Sequence, residues 1–130
     1  MTPEASRFFR KARKYLHNGK TMLGVNLNDD AGRSAYLAAF HAAQALIFED
    51  AGKVLKTHKG VQTEFYRLTK DDVRLAPNLR AFLSQAYNLK AIADYEEGPE
   101  TEIYPERAAM AIETATLFVD CIERMICKAD

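Results

Sequence analysis

The chain has no tryptophan, two cysteines, four prolines and three histidines in 130 residues, and eighteen basic residues balance eighteen acidic ones. Cys121 and Cys127 stand six apart in one helical run and form neither a CxxC nor a Cys/His set. That excludes a disulfide scaffold and a zinc knuckle, and reads as two buried thiols in a reducing compartment. Zero net charge removes any argument from the whole chain for nucleic acid. The longest nearly apolar stretch, "SAYLAAFHAAQALIF", is shorter than the ~18 residues a membrane span needs and contains His41 and Gln44. The basic segment Arg7 to Lys14 is not followed by an apolar run, so no signal peptide is read, and a cytoplasmic protein is expected. His17, His41 and His58 fall on three different elements, without a second ligand at HExxH spacing. No metal or cofactor is expected. A phosphate-cradling glycine loop and a GxSxG elbow are also missing.

What is present is an ordinary globular composition, 48% hydrophobic and 28% charged, which predicts one domain over residues 1–130. Charge is unevenly spread. Arg7, Arg10, Lys11, Arg13, Lys14 and Lys20 face a single acid, Glu4, before residue 28, whereas Asp94, Glu96, Glu97, Glu100 and Glu102 run without a base. Either these segments complement each other, within the fold or across a dimer, or the first is a strip for phosphates.

Thr2-Pro3 predicts a helix start, with Phe8, Ala12, Tyr15, Leu16, Gly19, Met22 and Leu23 facing inward and Gly19 as a close-packing position. Asn28 to Asp30 predict a turn and cap. A second helix over Ala31 to Asp50 is apolar nearly all round and should be the central element, with His41 as a hydrogen-bonded core residue. Gly52 ends it, and "KVLKTHKG" reads as a loop. Shorter helices over Val61 to Leu68 and Leu79 to Ala93 follow, and Pro105 opens a fifth that ends near Lys128. No alternating strand pattern occurs. The fold class is therefore all-α, an up-and-down antiparallel helical bundle of about five helices.

The stretches "GRSAYLAAFHAAQALIFEDAG", "KTHKGV", "FYRL", "NLKAIADY" and "ERAAMAIETATLFVDCI" together resemble the HEPN family of small helical domains. In outline, its members carry an Ala-Tyr-Tyr-Ala-x-Phe-His-Ala-Ala-like stretch, a His-Lys-Gly loop, an Arg-x-x-x-Asp-Tyr segment and an alanine-rich last helix. The likeness runs from about Phe8 to Ile126. It implies a nucleotide- or RNA-associated binding module that forms a homodimer and partners a minimal nucleotidyltransferase in a toxin–antitoxin-like pair. It also implies an alternative, a metal-independent ribonuclease toxin using an Arg-x4-6-His pair. Here the literal match is Arg10 to His17, on the first helix, whereas the family's pair lies late in the bundle. A purely structural dimer is a third reading. The Arg-x-x-x-Asp-Tyr segment becomes Lys90-x-x-x-Asp94-Tyr95, which keeps the charge and loses the planar fork. No catalytic residue is assigned.

Lys56, His58, Lys90, Asp94 and Tyr95 are the candidate site residues. They form one phosphate or nucleotide pocket, or Lys90 and Asp94 are only an i,i+4 pair while His58 braces its loop, or the set is an interface. A single pocket requires the second and fourth helices to run the same way, with the third returning between them. Lys90 is read as solvent-facing. Phe9 is read as an exposed aromatic beside an inward Phe8 and, with the charge asymmetry, motivates the homodimer.

Overall fold

The computed structural model describes residues 1–95 and 102–127, with only the backbone of Tyr95. Among them lie five helices and no strand: α1 Pro3–Gly24, α2 Asn28–Ala51, α3 His58–Thr69, α4 Pro77–Tyr95 and α5 Pro105–Cys127. The all-α expectation holds. The acidic residues Glu96, Glu97 and Glu100, and Lys128, lie outside the described residues.

Thr2 caps α1 by accepting the Ala5 amide at 3.1 Å, and Pro3 sits in the first turn, where it loses no intrahelical bond. The buried stripe is Ala5, Phe9, Ala12, Leu16 and Gly19, a 4-3-4-3 spacing that keeps one face on the core. Phe9, not Phe8, is therefore the inward ring, and Phe8 is only half-buried. One residue turns a helix by about 100°. Two adjacent phenylalanines cannot both centre on the stripe, and the 4-3 register selects Phe9. The homodimer expectation loses the exposed aromatic it rested on. Gly19 is the close-packing position foreseen: a Cβ there would come within 2.5 Å of Ile112 Cδ1 on α5.

The polypeptide then turns through Asn26, at φ 65°, and α2 starts at Asn28 with Leu27 in the cap position. The cap foreseen at Asn28 to Asp30 does not form. Asp29 Oδ1 instead accepts the Ile103 amide at 2.9 Å, tying the start of α2 to the approach to α5. From Ala31 to Ile47 nearly every residue of α2 is buried, and α2 packs against each of the other four helices. Its small side chains permit this, because an alanine-rich surface lets neighbouring helices approach on all sides. His41 is the core histidine expected, its Nδ1 2.7 Å from Gln44 Oε1 and its ring stacked on Tyr15.

After Gly52 the chain doubles back along α2. Gln44 holds the return leg by donating to the Leu55 carbonyl at 2.7 Å, and His58 arrives beside Tyr36, about four turns before the end of α2 by the helical repeat. From there α3 runs parallel to α2. At its far end the Arg80 guanidinium of α4 caps it, donating to Thr69 O and Asp72 O at 3.0 and 3.1 Å. Pro77 opens α4. Because Arg33 near the start of α2 reaches Asp94 near the end of α4, these two helices are antiparallel. The expectation that they run the same way is corrected: the leg over residues 53–57, not a helix, supplies the missing reversal. α5 then rises beside α2 and closes the core, with Phe118 against Phe65 and Phe82. Its two cysteines differ from the sequence reading, since Cys121 is buried and Cys127 exposed.

Charges on α1 and α5 meet once in the described residues. Arg13 donates to Asp120 and Glu123 at 2.7 Å each, and its guanidinium stacks over the Phe9 ring. None of the described helices is long and apolar enough to cross a membrane.

Candidate functional site

"KTHKG" is helix rather than loop from its third residue onward. Thr57 takes the cap position, and its hydroxyl accepts the Gly60 amide at 2.9 Å. A Cβ at Gly60 would approach that hydroxyl to 2.6 Å, so the side chain that caps and the residue without one belong together. His58 becomes the first residue of α3, at the end where a helix leaves amides without internal partners.

Three aromatic rings box His58. Its centroid lies 5.1 Å from Phe40, 5.1 Å from Tyr87 and 5.5 Å from Tyr36. Tyr36 is fully buried, and a buried phenol needs a polar partner. It finds one in His58 Nδ1, 2.7 Å away. When the phenol donates to His58 Nδ1, the imidazole carries its proton on Nε2. Burial pushes the Tyr36 hydroxyl well above its ordinary pKa, so it stays a donor at every physiological pH.

One turn of α4 supplies the charges. Lys90 Nζ donates to Asp94 Oδ2 at 2.6 Å, and Asp94 Oδ1 accepts Arg33 Nε from α2 at 2.8 Å. The i,i+4 reading of Lys90 and Asp94 is correct as geometry. Lys90 is, however, buried, at 9% exposure, not solvent-facing. The Lys90 hydrogen bond, aided by the nearby Arg33, holds the Asp94 carboxyl below its usual range. Burial, and then the Lys90 charge, lower the pKa of His58, with Asp94 opposing. Among the described residues, Lys90, Arg33 and Asp94 are the charged groups beside this imidazole.

Three of the five expected residues, His58, Lys90 and Asp94, share this cluster. The Lys56 side chain is exposed on the return leg and makes no ion pair or hydrogen bond among the described residues. The side chain of Tyr95 lies outside the described residues. Arg33, Tyr36 and Tyr87 were not anticipated. The available signal was Arg33, Tyr36 and Phe40 at i, i+3 and i+7, one face of α2 on which an apolar helix carries a cation and a phenol. Arg10 and His17 are both exposed on α1, about 10 Å apart along its axis. Among the described residues no group of three His, Cys, Asp or Glu side chains is placed to hold a metal.

The cluster carries a pH dependence. The pKa values of His58 and His41 are both lowered, in each case chiefly by burial, so the folded state binds fewer protons than the unfolded chain near pH 6. Stability is then fully present above the ordinary histidine pKa of about 6.5 and is lost as pH falls through it. Urea midpoints should therefore be flat from pH 8 to 7 and decline between pH 6.5 and 5, with His58→Gln removing part of the decline. A midpoint rising over that interval would contradict the neutral cluster.

An all-α bundle with a polar cluster where α2, α3 and α4 meet is the class these features define. The HEPN domain family model matches residues 5–125, and the chain belongs to that family. It is 28% identical over 119 residues to a UPF0332 protein of Archaeoglobus fulgidus, covering 92% of each chain. Its fold is similar to that of TT1696 from Thermus thermophilus, with a TM-score of 0.78 and 20% identity over 95% of this chain and 98% of that one.

Proposed function

We propose that this HEPN domain is a nucleotide- or RNA-associated binding module of the cytoplasm, and that the His58 cluster is where it holds a phosphate. Its partner in this reading is a minimal nucleotidyltransferase, as the family resemblance implies, in a toxin–antitoxin-like pair. The observation that carries the phosphate reading is the cluster's composition. Arg33 and Lys90 both donate to Asp94, and the His58 imidazole lies beside them within a box of Phe40, Tyr36 and Tyr87. Cationic donors in a partly dry setting are what phosphate oxygens require. The N-terminal end of α3 at His58 adds to the same field. The ribonuclease alternative has no comparable support in the positions of Arg10 and His17.

Lys90→Ala tests this directly. Calorimetric titration with ATP should show affinity lowered about tenfold or more, the usual worth of a charged hydrogen bond. The fold should survive, because Asp94 keeps Arg33 as a partner and its side chain is 23% exposed. Unchanged ATP affinity in a folded variant would remove Lys90 from the site. Growth arrest on expression, relieved by His58→Ala, would instead favour the toxin reading.

A further inference from the structure

The outward side of α5 carries a pattern separate from the His58 cluster. Arg107, Met110, Thr114, Leu117, Cys121 and Arg124 follow one another at 3-4-3-4-3 spacing, the seam that one helix offers to another. Met110 and Leu117 are 62% and 53% exposed, although both are large and apolar. Two clefts flank the seam. The first, of about 420 Å³, lies between Met110 and Thr114 of α5 and Phe82, Ala86 and Leu89 of α4, with Arg107 also lining it. The second, of about 230 Å³, is lined by Arg74, Cys121, Arg124 and Met125.

The two clefts lie in line. Phe82 of α4 meets Phe118 at 6.1 Å, and the Cys121 thiol donates to the Arg74 carbonyl at 3.4 Å, just before α4 begins. Climbing α5 from Arg107 to Cys121 therefore descends α4 from Leu89 to Arg74, and Leu117 stands between the clefts. From Arg107 to Arg124 the seam is about 25 Å long by the helical rise. Both arginines are exposed, and neither makes an ion pair or a side-chain hydrogen bond among the described residues. The same holds for Glu106 and Glu113, on the edge of the seam away from α4. An apolar trough with an unpaired cation at each end is the complement of an apolar ridge bounded by carboxylates.

We infer that the α4–α5 groove receives an amphipathic helix of a different protein, with apolar side chains at heptad spacing and a carboxylate at each end of its ridge. Nothing in this rests on the phosphate reading, since no residue of the groove belongs to the His58 cluster. A second copy of this chain fits the groove badly. Parallel α5 helices in register would set Arg107 against Arg107 and Arg124 against Arg124. Antiparallel ones centred on the seam would set Arg107 against Arg124, so like charges meet in either orientation. A lipid surface also fits badly, because the exposed apolar strip is one seam wide and carries charge at both ends and along one edge.

The experiment is fluorescence anisotropy of labelled synthetic helices of about six turns, titrated with the intact protein. Each peptide carries leucines at successive a and d positions, bounded by glutamates in one peptide and by lysines in the other. A third has serines in place of the leucines. The glutamate-ended peptide should bind at least tenfold more tightly than the lysine-ended one, and the serine peptide should not bind. Arg107→Glu/Arg124→Glu should reverse the order of the first two, which a merely misfolded variant would not do. Met110→Glu/Leu117→Glu, at two exposed positions, should weaken the glutamate-ended peptide at least tenfold and leave the thermal midpoint unchanged. Equal affinity for the two leucine peptides, no binding at millimolar peptide, or binding untouched by Met110→Glu/Leu117→Glu would overturn the inference. A dimer in light scattering that Met110→Glu/Leu117→Glu abolishes would also overturn it, giving the groove to a second copy. Sedimentation with phosphatidylglycerol vesicles, lost in the same variant, would overturn it in favour of a membrane.

Discussion

Phe118→Ala should lower the thermal midpoint by roughly 10–20 °C, the largest effect of any single change considered for this protein. Phe118 is fully buried on α5, and its ring meets Phe65 of α3 at 5.4 Å and Phe82 of α4 at 6.1 Å. Those contacts join α3, α4 and α5 within the core. Removing a ring of this size leaves a void among three helices packed around it. A loss of about 3–5 kcal/mol is usual for such truncations. Differential scanning calorimetry would decide it. A fall of only a few degrees would mean that the three helices relax around the gap and that the core is less tightly joined than the ring contacts imply.

Tyr36→Phe should have the second largest effect, and it should act in two ways. The variant keeps the ring contacts with Phe40, Tyr87 and His58 but removes the hydroxyl that faces His58 Nδ1. Leaving a buried polar atom without its partner costs about 1–3 kcal/mol, so the urea midpoint should fall. The second effect is on the imidazole. Without the phenolic donor, nothing at Nδ1 selects the Nε2 tautomer, and long-range proton–nitrogen spectra should change from one tautomer to a mixture. ATP affinity should fall with it, although Tyr36 itself is buried and acts through His58. Loss of stability with an unchanged tautomer would make Tyr36 a packing residue only.

The fold was largely legible because helices announce themselves through spacing. The heptad-like stripe of α1, the alanine-rich run of α2 and the Pro105 start of α5 each follow from one rule of periodicity or capping. What was not legible is where periodicity is silent. Residues 53–57 carry no repeat and are held by the bond from Gln44 to the Leu55 carbonyl and by the Lys53 pair with Glu64. That return leg decides the direction of α3 and α4, so spacing alone finds the helices without giving their directions. The same leg determines that His58 meets Tyr36, a contact across 22 residues that no local pattern records.

The site was legible in halves. Lys90 and Asp94 are helix neighbours at i,i+4, and the family likeness marked His58, but the residues that bring them together sit inside the apolar run of α2. Arg33 and Tyr36 look like interruptions in a core helix until α4 and α3 are placed against that face. Lys56 suggests itself through its charge and its place beside His58 in sequence. Two residues before His58, it lies on the return leg with its side chain exposed.

The central claim is that the His58 cluster holds a phosphate, and nuclear magnetic resonance of the His58 imidazole during titration with ATP tests it most directly. The account predicts that the Nε2 proton resonance moves in a saturable, salt-sensitive way, and that Lys90→Ala abolishes the shift while His41 and His17 report none. A His58 resonance that stays fixed at millimolar ATP, or that moves equally in the Lys90→Ala variant, would contradict it.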